Sequence, residues 1–177
     1  MSRTLSSTFL QAIFSPETNQ VPVILIRISH TSLTEDIKIS TDNHDTFTVD
    51  SVSYRGTISN VYDGVTSENY VFCPIDVSFP DDSAEAISSA TLRIDNVSRD
   101  LITSIRTITS PPTMTIIAVL ASSPNTKEAR FDNFTLSNVT IDAFSVTGTI
   151  SLGNFLNEPY PGGSMLPSNF PGLYANV

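Results

Sequence analysis

The chain has 177 residues, 40% of them hydrophobic and only 15% charged, with a net charge of −9 and a pI near 4.4. One domain is the default at this length, able to bury roughly 70% of its unfolded surface without a disulfide framework, which the single Cys73 could not supply. The acidic balance argues against nucleic-acid binding and a polybasic membrane patch, and no apolar run approaches the roughly 20 residues of a membrane span.

Ser and Thr make up about a quarter of the chain and Trp is absent. Low charge with abundant β-branched residues points to a mainly β protein, a small barrel or sandwich with one or two short helices. Residues 3–14 read as a helix, because Leu5, Phe9 and Ile13 recur every four residues beside Leu10, and Pro16 stops it. This start is amphipathic and lacks a signal peptide's continuous apolar core, so synthesis in a cytoplasm is expected. Val21–Ile28 is a nearly continuous apolar run and reads as a buried strand. Asp36–Ser40 and Thr46–Asp50 alternate apolar and polar around a turn at residues 41–45, which predicts a hairpin.

Val52–Tyr54 leads to a turn or bulge at Arg55-Gly56, and Thr57–Tyr62 and Asn69–Phe79 follow as strands joined by a turn at Asp63-Gly64. Pro80-Asp81-Asp82 is a further break. Ala90–Val97 is a strand with Leu92 and Ile94 inward. Ser98–Thr107 reads as a second helix with Ser98 as N-cap and Asp100 at its positive end, stopped by Ser110-Pro111-Pro112. Met114–Leu120 is a second buried strand. Glu128–Leu136, Val139–Phe144 and Val146–Leu152 read as a β-meander. The glycosylation patterns at Asn96, Asn133 and Asn138 are chance matches in a Ser/Thr-rich chain.

The last stretch, Glu158–Tyr174, holds four prolines and three glycines, which fit neither a regular helix nor a central strand. It also carries Tyr160, Met165, Leu166, Phe170, Leu173 and Tyr174, too apolar for a disordered linker. The expected organisation is a β-rich core over residues 1–157 and an irregular arm over 158–177. Those six side chains are the candidate subunit interface, packed within the domain or across a neighbour.

No catalytic, cofactor or metal residue stands out. His30 follows a strand and His44 sits in a turn, neither with ligands at metal spacing. Cys73 reads as a small core residue. Asp81-Asp82 is an acidic pair in a proline turn, short of the six or more oxygens of a hard-cation site. Asp95 and Asn96 end a strand or fix a junction between subunits. Phosphate-binding glycine loops, CxxC pairs and nucleophile elbows are absent from the sequence.

Four segments in order, Leu5–His30, Ala90–Arg106, Ala121–Leu152 and Phe155–Leu173, resemble a family of small bacteriophage tail proteins of the DUF1833 type. More distantly, the layout is similar to the N-terminal part of the lambda-type tail tip protein L, which continues into a cysteine-rich segment not found in these residues. The resemblance implies a structural, non-enzymatic minor tail protein, without cofactor, at the virion tail tip or baseplate hub of a long-tailed phage or prophage. It would join the tail tube to the central fibre. Its implied partners are the distal tail ring and the central fibre or hub, with copies of itself as a trimer, or alternatively a hexamer. The rival expectation is a carbohydrate- or receptor-binding β-sandwich, which exposed aromatics clustered on one face would favour.

Overall fold

A computed structural model describes residues 5–49, 51–78, 89–95, 103, 105–142 and 145–152. The described chain is mainly β and curls into a half-barrel. Helix α1, Ser7–Phe14, starts four residues later than expected. Ser6 supplies the N-cap, its hydroxyl accepting from Phe9 N–H at 3.1 Å, and its own N–H donates to Glu128 Oε2 at 3.1 Å. The helix stops at Ser15, held extended by the following proline. Its buried side is Phe9 and Ala12 against Leu120, with Leu5 alongside, while Ile13 faces out. Leu5 and Phe9 of the expected stripe are thus on the buried side, and Ala12 takes the place expected of Ile13.

Among the described residues ten strands follow: β1 Pro22–Ser29, β2 Ile37–Ser40, β3 Asp45–Val49, β4 Val52–Ser59, β5 Glu68–Phe72, β6 Ile75–Ser78, β7 Ser89–Asp95, β8 Thr113–Leu120, β9 Ala129–Ile141 and β10 Ser145–Leu152. Their order in the sheet is β3-β4-β5-β2-β1-β8-β9-β10-β7-β6. The apolar runs of β1 and β8 lie at its centre and pair antiparallel over eight residues. Both faces of β1 are covered. Ile26 and Ile28 look inward, and Val23 and Leu25 meet Val61, Tyr70, Ile117 and Val119 on the other side. That double burial is why the strand reads as continuous rather than alternating.

The inner face collects Ile26, Ile39, Leu92, Met114, Leu136 and Ile150 from six strands, joined by Cys73 and Ile105. Burying each such side chain is worth about 1.5–3 kcal/mol. Leu92 and Ile94 point inward as expected. Of the expected second helix, residues 103, 105 and 106 are helical, and 98–102 and 104 lie outside the described residues.

The expected Asn69–Phe79 strand divides at Cys73-Pro74, because proline brings no N–H to a ladder. β5 pairs with β4 and β2, whereas β6 pairs with β7 at the far end of the order. Cys73 N–H donates to Ser40 O at 3.0 Å, and Pro74 O accepts from Asp95 N–H at 2.9 Å. One short segment therefore ties the two wings of the sheet and gives the curl its barrel-like enclosure.

Three other expectations are corrected. β2 and β3 do not form a hairpin; β3 pairs with β4, and β5 returns to lie parallel to β2. Arg55-Gly56 is no break either, since β4 runs through it. Gly56 sits where β5 crosses so closely that a Cβ there would lie 1.8 Å from Tyr70 O. The three-strand meander is two strands. Residues 129–141 form one strand bent at bulges where Asn133 (φ 63°) and Asn138 (φ 51°) adopt left-handed backbone. Register shifts at Met114/Ile116 and Thr147/Thr149 mark the same two places. Asn tolerates that conformation better than other side-chain-bearing residues, so a residue that suggests a turn here makes a bulge.

Candidate functional site

The densest polar arrangement lies on the outer face of the central strands. Arg27 follows Val23 and Leu25 on that face of β1, and its cross-strand neighbours are Lys38 and Thr115. Its Nε donates to Asp36 Oδ2 at 2.6 Å, and Nη1 donates to Glu68 Oε2 at 2.8 Å and Oε1 at 2.9 Å. Lys38 Nζ also reaches Glu68 at 2.8 Å, and Tyr70 O–H donates to it at 3.3 Å. Above them the Tyr62 ring lies between two cations, with the Arg27 guanidinium 3.8 Å and that of Arg130 4.7 Å from its centroid. Arg130 Nη1 donates to Tyr62 O at 2.9 Å, and its Nε pairs with Asp132, which also accepts from Thr115 Oγ1.

This cluster fastens the β4–β5 connection over the outer core. Ser59 Oγ donates to Pro124 O at 2.6 Å, Asn60 N–H donates to Asn125 Oδ1 at 3.0 Å, and Val61 is buried beneath. At the tip Asp63 accepts from Val65 and Thr66 N–H, which holds its carboxyl below the usual range, and Gly64 takes φ 76° as the turn signal predicts. Burial pulls the Arg27 guanidinium down, but its bond to Asp36 and the charges of Glu68 and Asp36 raise it overall. Burial, then Glu68, pushes the Tyr70 phenol well above its ordinary value, so it stays a donor. The Glu68 carboxylate is engaged by three side chains and Asp36 by Arg27. The cluster is a clamp.

Among the described residues His30 and Ser110 make the one pairing that looks like catalysis, Nε2 to Oγ at 2.7 Å. His30 Nδ1 accepts Ser32 N–H at 3.0 Å. That bond requires the neutral ring to carry its proton on Nε2, so Nε2 donates to Ser110 and cannot receive the serine's proton. His44 is exposed just before β3. Among the described residues no three His, Cys, Asp or Glu side chains converge as metal ligands. Cys73 is buried, and burial pushes its thiol up to about 11. It is a core residue, as its sequence setting predicts. β7 ends at Asp95, whose carboxylate pairs with Arg93 at 2.8 Å on the surface.

A cavity of about 450 Å³ opens at one end of the inner core. Ile28, Ile94, Leu136 and Val146 line it, with Arg106 and Pro111 nearer the connection into β8. Apolar side chains also reach the surface: Leu10, Ile13 and Phe14 on α1, Val49 and Val52 at the tip of the β3–β4 hairpin, and singly Val21, Ile58 and Val65. Among the described residues Phe14 is the single exposed aromatic, at 79%. The six arm residues Tyr160, Met165, Leu166, Phe170, Leu173 and Tyr174 lie outside the described residues, as do Asp81, Asp82, Asn96, Ser98 and Asp100. The Arg27–Tyr62–Arg130 clamp went unread in the sequence, although an arginine inside the run Val21–Ile28 is a signal that a buried strand must partner a charge.

A family model described as a domain of unknown function, DUF1833, matches residues 8–164. No curated protein matches the chain.

Proposed function

The chain belongs to the DUF1833 family, and we propose that it is a structural, non-enzymatic minor tail protein at the tail tip or baseplate hub of a long-tailed bacteriophage or prophage. The reading rests on the ordered resemblance of four segments to phage tail proteins. The single structural observation that supports it is apolar surface on the β3–β4 hairpin and on α1, with Val52 51% and Phe14 79% exposed. An assembly part uses such surface on its neighbours. In this role the protein is synthesised in the host cytoplasm and joins the tail tube to the central fibre. It contacts the distal ring on one side and the hub on the other, as a trimer or hexamer. The arm residues Tyr160, Met165, Leu166, Phe170, Leu173 and Tyr174 supply part of the contact.

The test is imaging of intact tails made with the wild-type chain and with the Phe170→Ala, Leu173→Ala double variant. The wild type should appear as a ring at the tip. The double variant should give defective tails while the isolated protein's melting temperature stays nearly unchanged. One copy per tail, or none, ends the ring reading; a marked fall in melting temperature places the arm's contact within the domain.

A further inference from the structure

The register of the β3–β4 hairpin fixes which backbone groups face outward. Val49 and Val52 are partners across a two-residue connection, residues 50 and 51, with Ser51 at φ 67°. The closing pair of such a hairpin exchanges hydrogen bonds, and bonded pairs alternate with unbonded ones along an antiparallel ladder. Phe47 with Tyr54 and Asp45 with Gly56 are then bonded pairs too. The next donor on the same side of β4, Ile58 N–H, is met by Asp45 Oδ2 at 2.9 Å, which agrees with this phase. Thr46 and Thr48 are the unbonded positions, so their N–H and C=O groups point away from β4.

Among the described residues β3 is the terminal strand of the sheet, with no strand beside these groups. Natural edges are guarded by lysine, proline or a bulge. The segment Asp45–Val49 has no lysine or proline, and its pairing with β4 runs without a register shift. Its one charged side chain, Asp45, is turned back onto Ile58 N–H. Thr46, Thr48 and Val49 are exposed.

We propose that the β3 edge pairs with the β3 edge of a second copy of this chain. The two strands run antiparallel about a twofold axis at Phe47, with Thr46 of each copy opposite Thr48 of the other. The edge is self-complementary in that register. Each Thr46–Thr48 pair exchanges two hydrogen bonds, and Val49 and Val52 lie at the rim. The C-terminal arm is a poorer occupant, because Pro159, Pro161, Pro167 and Pro171 lack the N–H that a ladder requires. A five-residue edge is small for a stable interface, so the dimer of the isolated protein is weak and concentration-dependent. Only the next step rests on the tail reading: twofold pairing builds a hexamer from three dimers and is incompatible with a lone closed trimer.

Sedimentation velocity on the full chain up to sub-millimolar concentration tests the pairing. The wild type should show a reversible monomer–dimer equilibrium. Thr48→Pro removes an outward N–H that pairs with none of the described strands, and should be monomeric throughout with an unchanged far-UV spectrum and melting temperature. Should that variant misfold, Thr46→Lys with Thr48→Lys keeps the N–H groups, sets like charges across the pair, and should likewise be monomeric. A wild type that stays monomeric, or variants that dimerise as it does, overturns the proposal. Imaged tails that lack the protein would sink the tail reading and leave the dimer result standing.

Discussion

Replacing Gly56 with alanine should be among the most damaging single-atom additions this fold can receive. A Cβ at position 56 lies 1.8 Å from Tyr70 O, 2.9 Å from Tyr70 C and 3.0 Å from Phe72 N. All three are backbone atoms of β5, so no side-chain rotation relieves the clash. Ordinary contact begins at 3.4 Å, and the carbonyl would have to retreat by about 1.6 Å. Tyr70 resists that movement, since its side chain is fully buried in the outer core and its hydroxyl is held by Glu68. Overpacking costs about 1–3 kcal/mol, and one or two ladder bonds around Gly56–Val71 and Thr57–Tyr70 add about 0.5–1.5 kcal/mol each. The sum, about 1.5–6 kcal/mol, is a large part of a typical domain's stability.

Two other glycines calibrate the figure. At Gly64 a Cβ meets nothing within 4 Å, so Gly64→Ala carries only the strain of φ 76°, about 1–2 kcal/mol. At Gly148 the nearest atom, 2.7 Å away, is Leu136 Cδ1, the movable end of a side chain, and Gly148→Ala should cost about 1–3 kcal/mol. Urea unfolding followed by circular dichroism should therefore rank Gly56→Ala well below both. A Gly56→Ala protein within about 1 kcal/mol of wild type would refute the close crossing.

Two further predictions follow from the outer clamp and from the core. Arg27→Ala strips Asp36 of its cation and leaves Glu68 with Lys38; for a partly buried network this should cost about 1–3 kcal/mol and speed amide exchange across residues 60–67. Unchanged exchange in that loop would show that Tyr62 is held by packing alone. Cys73 should react with a thiol reagent only after denaturation. Its raised value also means that the folded state keeps a proton the unfolded chain releases. Stability should thus be level below the unfolded value of 9.0 and fall by about 1.4 kcal/mol per unit as pH rises from there towards 11. The Tyr70 phenol works in the same direction at higher pH. Rapid native labelling, or an alkaline fall that persists unreduced in Cys73→Ala, would count against a buried thiol.

What could be read from the sequence was local. β1 and β8 are apolar on both faces and long enough to be unmistakable, and Leu92 and Ile94 alternate as an inward pair must. Long-range pairing was hidden. β2 and β3 have the pattern of hairpin arms, yet β2's partners are β1 and β5, because alternation records burial and carries no address for a partner strand. The tight connection between β3 and β4 escaped notice because Ser51, rather than glycine or asparagine, takes the positive φ. The break expected between Leu136 and Val139 misled in the opposite sense, since Asn138 there bends a continuous strand as Asn133 does earlier in it. The clamp was illegible because its members, Arg27, Tyr62, Glu68 and Arg130, are up to about a hundred residues apart and meet only once the sheet exists.

Charge gives one more reason to look to the β3–β4 hairpin for contact between copies. Each chain carries −9, so two copies approaching at random repel one another over a Debye length of about 8–10 Å. Residues 46–54 contain a single charged side chain, Asp50, among threonine, serine, valine and aromatic residues. β5 pairs with β4 only from Gly56 to Ser59, whereas β3 pairs with it from Val52 to Gly56. The distal half of the hairpin therefore extends past β5, braced by the stacking of Phe47 on Tyr54 at 6.4 Å. It is a place where an acidic chain can bring backbone against backbone with little charge opposed, and where a partner can be gained without disturbing either core.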